Sequence, residues 1–240
     1  MQGRRRRVAA LVVAAGEGRR MGDHQQKAFL SLKGVPILVH AMQPFEACIR
    51  VQTLHLVLRE QDLRSWHQEI LGNFPFKKTN PPVPGGPTRQ DSVRLGLESI
   101  GDDIDIVLIH DGDRPFADTP MLERLLDTME EAQAAVVGVP AKETMKIVSS
   151  HGHVLETPAR ETLWRIQTPQ AFDYAIIVQA HRKAVAEGVV APDDSALVER
   201  LGIPVAVVQG SYRNIKITTP EDLLIAQAFF ENPGRSSLES

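Results

Sequence analysis

Short apolar runs rich in Val and Ile recur along the chain, separated by longer stretches in which apolar positions return every three or four residues. The first pattern belongs to buried strands and the second to amphipathic helices. Strands are therefore predicted at Ala9–Ala14, Thr53–Leu58, Ile104–Ile109, Ala134–Val139 and Val205–Gln209. Helices are predicted at Pro36–Ala47, Gln61–Leu71, Asp91–Ile100, Pro120–Ala132, Ala175–Glu187 and Pro220–Phe230. Regular alternation of the two is the rhythm of strands joined by crossover helices, so the expected architecture is α/β, a mostly parallel sheet flanked by helices. Two helix starts are marked locally: Thr119-Pro120 and Thr219-Pro220 each set an N-cap residue before a proline at the first helical position.

Pro140 to Thr157 (PAKETMKIVSSHGHVLET) breaks the rhythm and reads as two short polar strands around a Ser-Ser-His-Gly turn. Neither half can build a core, and an isolated two-stranded ribbon is marginal in water, so this protruding hairpin arm is expected to meet a partner surface. Asn80 to Pro87 (NPPVPGGP) is the strongest loop signal, and the tail from Asn232 to Ser240 is expected to fray. With no repeat and no long linker, the 240 residues are read as a single domain.

Composition narrows the class. Hydrophobic residues at 42% and charged residues at 24% describe an ordinary globular chain. A net charge of -3 gives no footprint for bulk nucleic-acid binding. The longest apolar run, Val8 to Ala15, is too short to span a bilayer. Arg4 to Arg7 ahead of it mimics a signal peptide, but the run leads straight into GEGRRM, so it is read as a first strand behind a solvated tail. A lone cysteine, Cys48, excludes a disulfide framework and fits a reducing cytoplasm.

Four constellations carry candidate chemistry. Ala14-Ala15-Gly16-Glu17-Gly18-Arg19-Arg20-Met21, with Lys27 beyond, follows the first strand. Ligands of open α/β sheets bind at the carboxyl ends of strands, where glycines let backbone N–H groups approach a phosphate. This is neither a Walker A loop nor a dinucleotide fingerprint, since Met21 stands where the third glycine belongs. A tight turn with solvated arginines explains the glycines alone; the cations beside them favour an anion. His110-Asp111-Gly112-Asp113-Arg114-Pro115 closes another strand, and Asp111 there suits a divalent cation shared with substrate phosphates, against the plainer reading of an Asp-Gly turn. Gly85-Gly86-Pro87-Thr88-Arg89-Gln90-Asp91-Ser92 offers a glycine pair to lie against a base and Ser92 to bond its edge, or simply a capped helix start. Lys216, on a strand-like segment before the last helix, is either an exposed charge or a phosphate ligand.

Other chemistries lack their parts: there is no HExxH, no GxSxG and one cysteine. His151 and His153 read as solvated turn residues, His110 as a hydrogen-bonded strand-end residue, and Trp66 and Trp164 as packing residues.

Taken in order, AAGEGRRM with Lys27, GGPTRQDSV, HDGDRP, ETMK, LWRIQTPQAF, PDDSALVE and NIKITTPEDL resemble the successive motifs of the 2-C-methyl-D-erythritol 4-phosphate cytidylyltransferases. The resemblance spans nearly the whole chain. It implies a Rossmann-like fold, a magnesium-dependent transfer of CMP from CTP to a polyol phosphate, and a homodimer whose hairpin arm reaches the other subunit's active site. It assigns Arg20, Lys27 and Lys216 to the reacting phosphates and Asp111 to the metal. Ala14, Ala15, Gly16, Gly18, Gly86 and Ser92 fall to the nucleotide, and Thr144, Arg160 and Thr168 to the polyol phosphate. The chain departs from the family pattern at Gln26, Ala28, Pro87 and Asp113, and at Pro192, Ser195 and Ala196, where the usual TDDAS reads PDDSA. A ribitol 5-phosphate cytidylyltransferase uses similar motifs. Asp111-Gly112-Asp113 also resembles the D-x-D of sugar-nucleotide glycosyltransferases, and a non-enzymatic nucleotide-binding module is the third alternative.

Overall fold

The computed structural model describes residues 6–16 and 27–232. In chain order the strands are β1 (Val8–Ala14), β2 (Ser31–Leu32), β3 (Val35–Pro36), β4 (Val51–Leu58), β5 (Val83–Pro84), β6 (Ile106–Asp111), β7 (Ala134–Pro140), β8 (Ile147–Val148), β9 (Val154–Glu156), β10 (Trp164–Asp173) and β11 (Ala206–Gln209). The helices are α1 (Ile37–Ala47), α2 (Leu63–Ser65), α3 (Arg89–Glu98), α4 (Thr119–Thr128), α5 (Tyr174–Glu187), α6 (Asp194–Glu199) and α7 (Pro220–Glu231). A seven-stranded sheet in the order β11-β7-β10-β6-β1-β4-β5 forms the centre. The pairings β1 with β4, β1 with β6, β4 with β5 and β7 with β11 are parallel, while β10 runs antiparallel to both β6 and β7.

β1 shows why the sheet must be covered on both faces. Ala10, Val12 and Ala14 pack with Met42 and Phe45 of α1 and Leu122 of α4, whereas Ala9 and Leu11 pack with Val93 of α3 and Ile177 of α5. A strand buried on both sides reads as a continuous apolar run, which is how VAALVVA is written. A smaller cluster, Leu32, Ile37, Ile217 and Ala226, docks α7 and the segment before it beside β2 and β3.

Four sequence expectations change. The predicted helix Gln61–Leu71 is a 3-10 turn (Glu60–Asp62), the single turn α2 and a π turn (Trp66–Leu71), with Arg59 bonded to Asp62 across the first of them. Asp118, not Thr119, caps α4, its side chain accepting from Met121 N at 2.8 Å. The segment carrying Lys216 forms no strand. Trp164 is partly exposed at the start of β10, while Trp66 is fully buried as expected. Two elements lack a readable pattern. β10 contains Pro169 and buries polar Gln167, Thr168 and Gln170, so it shows no apolar alternation; its ladder with β7 is interrupted between Ile166 and Gln170, where the proline is tolerated. α6 is too short to show helical periodicity.

The hairpin arm is present: β8 and β9 pair antiparallel around a turn in which Gly152 has φ +81 and donates to Ser149 O. Met145, Ile147, Val148, Val154 and Leu155 on it are exposed. Among the described residues no helix is long and apolar enough to cross a membrane.

Candidate active site

The carboxyl ends of β1, β4 and β6 meet. β6 stops at Asp111, where the chain turns: Arg114 N donates to Asp111 O at 3.1 Å, and Gly112 N donates to Val13 O at 2.9 Å. A Cβ on Gly112 would lie 2.8 Å from that of Ala14, so glycine is what lets this turn reach the end of β1. Residues 111 to 113 do not continue the strand, the arrangement that would set both acids on one face. Asp113 sits inside the turn, and its carbonyl accepts from Ile217 N at 2.9 Å. The D-x-D reading loses its geometric basis there.

Three cations converge on Asp111. Arg89 Nε donates to Oδ1 at 2.9 Å, while Lys216 Nζ at 3.0 Å and Arg114 Nε at 3.4 Å both donate to Oδ2. The side chain of Asp111 is 9% exposed and that of Lys216 35%. Burial alone would raise the pKa of Asp111, but Arg89, Lys216 and Arg114 together hold it well below the ordinary carboxylate range. Asp111 is thus ionised wherever the protein is folded near neutrality. Lys216 is delivered by a loop with several anchors: Asn214 donates to Thr168 O at 2.9 Å, Gln167 donates to Ser211 O at 2.8 Å, and Arg114 donates to Asn214 O at 3.0 Å.

Behind Asp111 the bonds leave little choice of proton position. Asp111 N donates to Thr168 Oγ1 at 3.0 Å, so the Thr168 hydroxyl turns its own hydrogen to His110 Nδ1, also at 3.0 Å. His110 Nε2 lies 3.1 Å from Arg114 O and must carry the ring hydrogen, because a carbonyl only accepts. Burial pushes the His110 pKa down to about 4, which keeps the ring neutral and the arrangement intact. His110 is the hydrogen-bonded strand-end residue expected from sequence. Thr168, expected at the polyol phosphate, is buried and spends its hydroxyl on framing Asp111.

The glycine pair borders the same crevice. A Cβ on Gly85 would lie 2.3 Å from that of Ala15 and 2.9 Å from Ser92 Oγ, so the two loops touch through glycine alone. Ser92 is buried; its Oγ accepts from Gly86 N at 3.1 Å and donates to Thr88 O at 2.9 Å, bracing the loop. Thr88 caps α3 by accepting from Asp91 N. Ala14, Ala15, Gly16 and Gly86 are therefore brought to one edge, with Ser92 beneath them.

Gly18 and Arg20 lie outside the described residues, as does the side chain of Lys27, whose backbone opens a 3-10 turn (Lys27–Phe29). Thr144 and Arg160 stand exposed at the base of the arm, where Arg160 Nη1 donates to Lys142 O at 3.4 Å rather than to the Asp111 cluster. Sequence reasoning gave no role to Arg89, Arg114, Asp194 or His181. The first three lie inside motifs it quoted, and their charge was the available signal; His181, in mid-helix, carried none.

A magnesium ion suits this donor set in one way. No group of three His, Cys, Asp or Glu side chains able to hold a metal forms among the described residues. A cation held by Asp111 would therefore have to complete its shell with phosphate oxygens and water, as magnesium does in phosphate-handling sites.

Comparison with known proteins converges on one family. The model of the 2-C-methyl-D-erythritol 4-phosphate cytidylyltransferases matches residues 8–232. A 2-C-methyl-D-erythritol 4-phosphate cytidylyltransferase of Geotalea uraniireducens is 47% identical over 228 residues, covering 94% of this chain and 97% of its own. One of Desulforamulus reducens is 44% identical over 224 residues, covering 93% and 96%. The crystal structure of a 4-diphosphocytidyl-2C-methyl-D-erythritol synthase from Anaerococcus prevotii superposes with a TM-score of 0.84 at 31% identity, covering 94% of this chain and 96% of that one.

Proposed function

The chain belongs to the 2-C-methyl-D-erythritol 4-phosphate cytidylyltransferase family, and from that premise we propose how its residues divide the work. The enzyme transfers CMP from CTP to 2-C-methyl-D-erythritol 4-phosphate in the non-mevalonate route to isoprenoid precursors. A phosphate oxygen of the polyol attacks the α-phosphorus of CTP, a new P–O bond forms, and the bond to the β-phosphate oxygen breaks to release pyrophosphate. A phosphate monoester is nucleophilic enough near neutral pH, so catalysis is alignment and neutralisation of charge, with no covalent enzyme intermediate.

The observation that carries the assignment is the convergence of Arg89, Arg114 and Lys216 on the Asp111 carboxylate at the mouth of the β1 loop. Lys216 is the most exposed group of the pair it forms with Asp111 and is proposed to turn to the phosphates when they arrive. Arg20 and Lys27 are proposed to stabilise the charge that builds on the transferring phosphorus and the leaving pyrophosphate. Ala14, Ala15, Gly16, Gly18 and Gly86 are proposed to lie along the nucleotide, with Ser92 fixing the Gly86 backbone. Asp111 would hold the magnesium, which when bound supplies further neutralisation of the triphosphate.

The active unit is proposed to be a cytoplasmic homodimer. Supporting this, the arm exposes a run of apolar side chains on a two-stranded ribbon with no core of its own. Thr144 and Arg160, which flank the arm, are proposed to serve the polyol phosphate bound to the partner subunit. The test is pyrophosphate release by Arg20→Ala and Lys27→Ala, measured beside the melting midpoint. A large loss of turnover with little loss of stability is expected, and near-normal turnover in both overturns the phosphate assignment.

A further inference from the structure

Arg89 uses two edges of its guanidinium on two different acids. Nε donates to Asp111 Oδ1 at 2.9 Å, and Nη1 donates to Asp194 Oδ2 at 2.8 Å. The other oxygen of Asp194, Oδ1, lies 3.2 Å from His181 Nε2, which must carry the hydrogen because a carboxylate only accepts. Exposure drops along this line, from 30% for Arg89 to 1% for Asp194, and stays at 2% for His181. The chain of contacts runs from the crevice into the layer formed by α3, α5 and α6.

Stability alone is a poor reason for such a chain, because desolvating a buried ion pair consumes most of what the attraction returns. What the pair fixes is direction. Guanidinium and carboxylate prefer to meet fork to fork, with two parallel N–H···O bonds. Arg89 still has a buried Nη2 without a hydrogen-bond partner, so it has the donors for a two-pronged grip on Asp111. The edge that faces Asp111 pairs Nε with Nη2, and Asp194, by holding Nη1 on the opposite edge, fixes the tilt of the guanidinium plane so that Nη2 makes no bond to Asp111. Arg89 then holds one oxygen of Asp111, and Oδ2 stays turned to Lys216 and Arg114.

We propose that Asp194 is a positioning residue: by holding Arg89 to a single bond with Asp111, and itself backed by His181, it keeps Asp111 Oδ2 facing the crevice. The inference rests on the reading of Asp111 as the carboxylate that meets the metal and the triphosphate. α6 supplies Asp194 in a fixed place, since Asp193 caps the helix by accepting from Ala196 N and is gripped by Gln170 Nε2 at 2.8 Å, while Ser195 N donates to Gln170 Oε1.

The experiment compares full-length wild type with Asp194→Asn, which keeps shape and removes charge. It reads the magnesium concentration for half-maximal rate, kcat and KM for CTP, CTP affinity by calorimetry with and without magnesium, and the melting midpoint. Outer partners of metal-facing groups typically carry about 10–100-fold in affinity or activity, and a rise of that size in the magnesium requirement is expected. In an Arg89→Lys background, where one ammonium cannot span both acids, Asp194→Asn should add less than about threefold. His181→Gln, which keeps an N–H donor, should stay near wild type while His181→Leu shifts the magnesium requirement in the same sense; this pair decides the matter if Asp194→Asn does not fold. An unchanged magnesium requirement and CTP affinity beside a lowered melting midpoint would show a purely structural pair and overturn the proposal. Independent, multiplying effects of Arg89→Lys and Asp194→Asn would overturn it too. Asp111→Asn run alongside separates the levels: if it is fully active, the reading of Asp111 fails first, whereas an inactive Asp111→Asn with a normal Asp194→Asn sinks the positioning role alone.

Discussion

Lys216 Nζ lies 3.0 Å from Asp111 Oδ2 although 105 positions separate the two residues in the chain. The pair joins the end of β6 to the loop ahead of α7. It makes the most exposed of the three cations on Asp111 a counter-ion of that buried acid.

Asp111→Asn and Lys216→Ala are each expected to lower the rate of pyrophosphate release by about 10²–10³-fold, the usual cost of removing one preorganised charge contact. Asp113→Ala should change it far less, because Asp113 joins the site through its backbone carbonyl, which the substitution keeps. Initial rates across a magnesium titration check all three; equal losses at 111 and 113 would restore a two-carboxylate site.

Thr168→Val keeps the size of the side chain and deletes the hydroxyl that accepts from Asp111 N and donates to His110 Nδ1. Two buried polar groups lose their partner, so a loss of about 1–3 kcal/mol in unfolding free energy is expected, together with reduced turnover. Thr168→Ser should retain most of both. Urea denaturation paired with rate measurements reads the outcome, and a stable, fully active Thr168→Val would contradict the framing role.

Stability should fall between about pH 6.5 and pH 4. His110 has its pKa pushed down to about 4 by burial, against an ordinary value of 6.5, so in that window the unfolded chain binds a proton that the folded one refuses. The slope is positive with pH, and the difference amounts to something on the order of 3 kcal/mol, complete above pH 6.5. His55, also lowered by burial, contributes in the same direction. Below the ordinary aspartate range the held-down carboxyls of Asp111 and Asp194 extend the loss. Unfolding free energies of wild type and His110→Gln across this range test it: the variant should show a flatter dependence.

Gly85→Ala places a methyl 2.3 Å from the Cβ of Ala15 and forces the loop after β1 and the glycine-pair loop apart. Overpacking of this kind costs about 1–3 kcal/mol. Weaker CTP binding by calorimetry and a lower denaturation midpoint are expected together; unchanged CTP affinity would separate this contact from the nucleotide.

Lys27→Ala and Arg160→Ala, each inactive as a homodimer, are expected to recover activity when mixed and allowed to exchange subunits. If each site takes Lys27 from one chain and Arg160 from the other, half of the mixed population carries one intact site in two, so about a quarter of wild-type activity returns. Verified exchange with no recovery means that one chain builds the whole site.

The sequence by itself determined the α/β class, the parallel strands, the arm and the positions of the site's loops. These rest on local signals: apolar runs buried on both faces, turn residues, and motifs whose glycines and charges sit at strand ends. It also fixed Asp111 and Lys216 as candidates, since their strand-end and pre-helix positions are legible within a few residues. Only the tertiary structure decided what surrounds Asp111. β10 escaped notice because a strand between β6 and β7 buries Gln167, Thr168 and Gln170 in hydrogen bonds rather than in apolar contacts, and such burial leaves no hydrophobic period. The same strand makes Thr168 the partner of Asp111 N and His110, a role its motif did not announce. Arg89, Asp194 and His181 meet across α3, α6 and α5, where the partners are about a hundred residues apart or lie on different helices. Local pattern reports which face of an element is apolar; it carries no record of which distant charge completes a buried polar group, because that depends on where the folded chain brings the second partner.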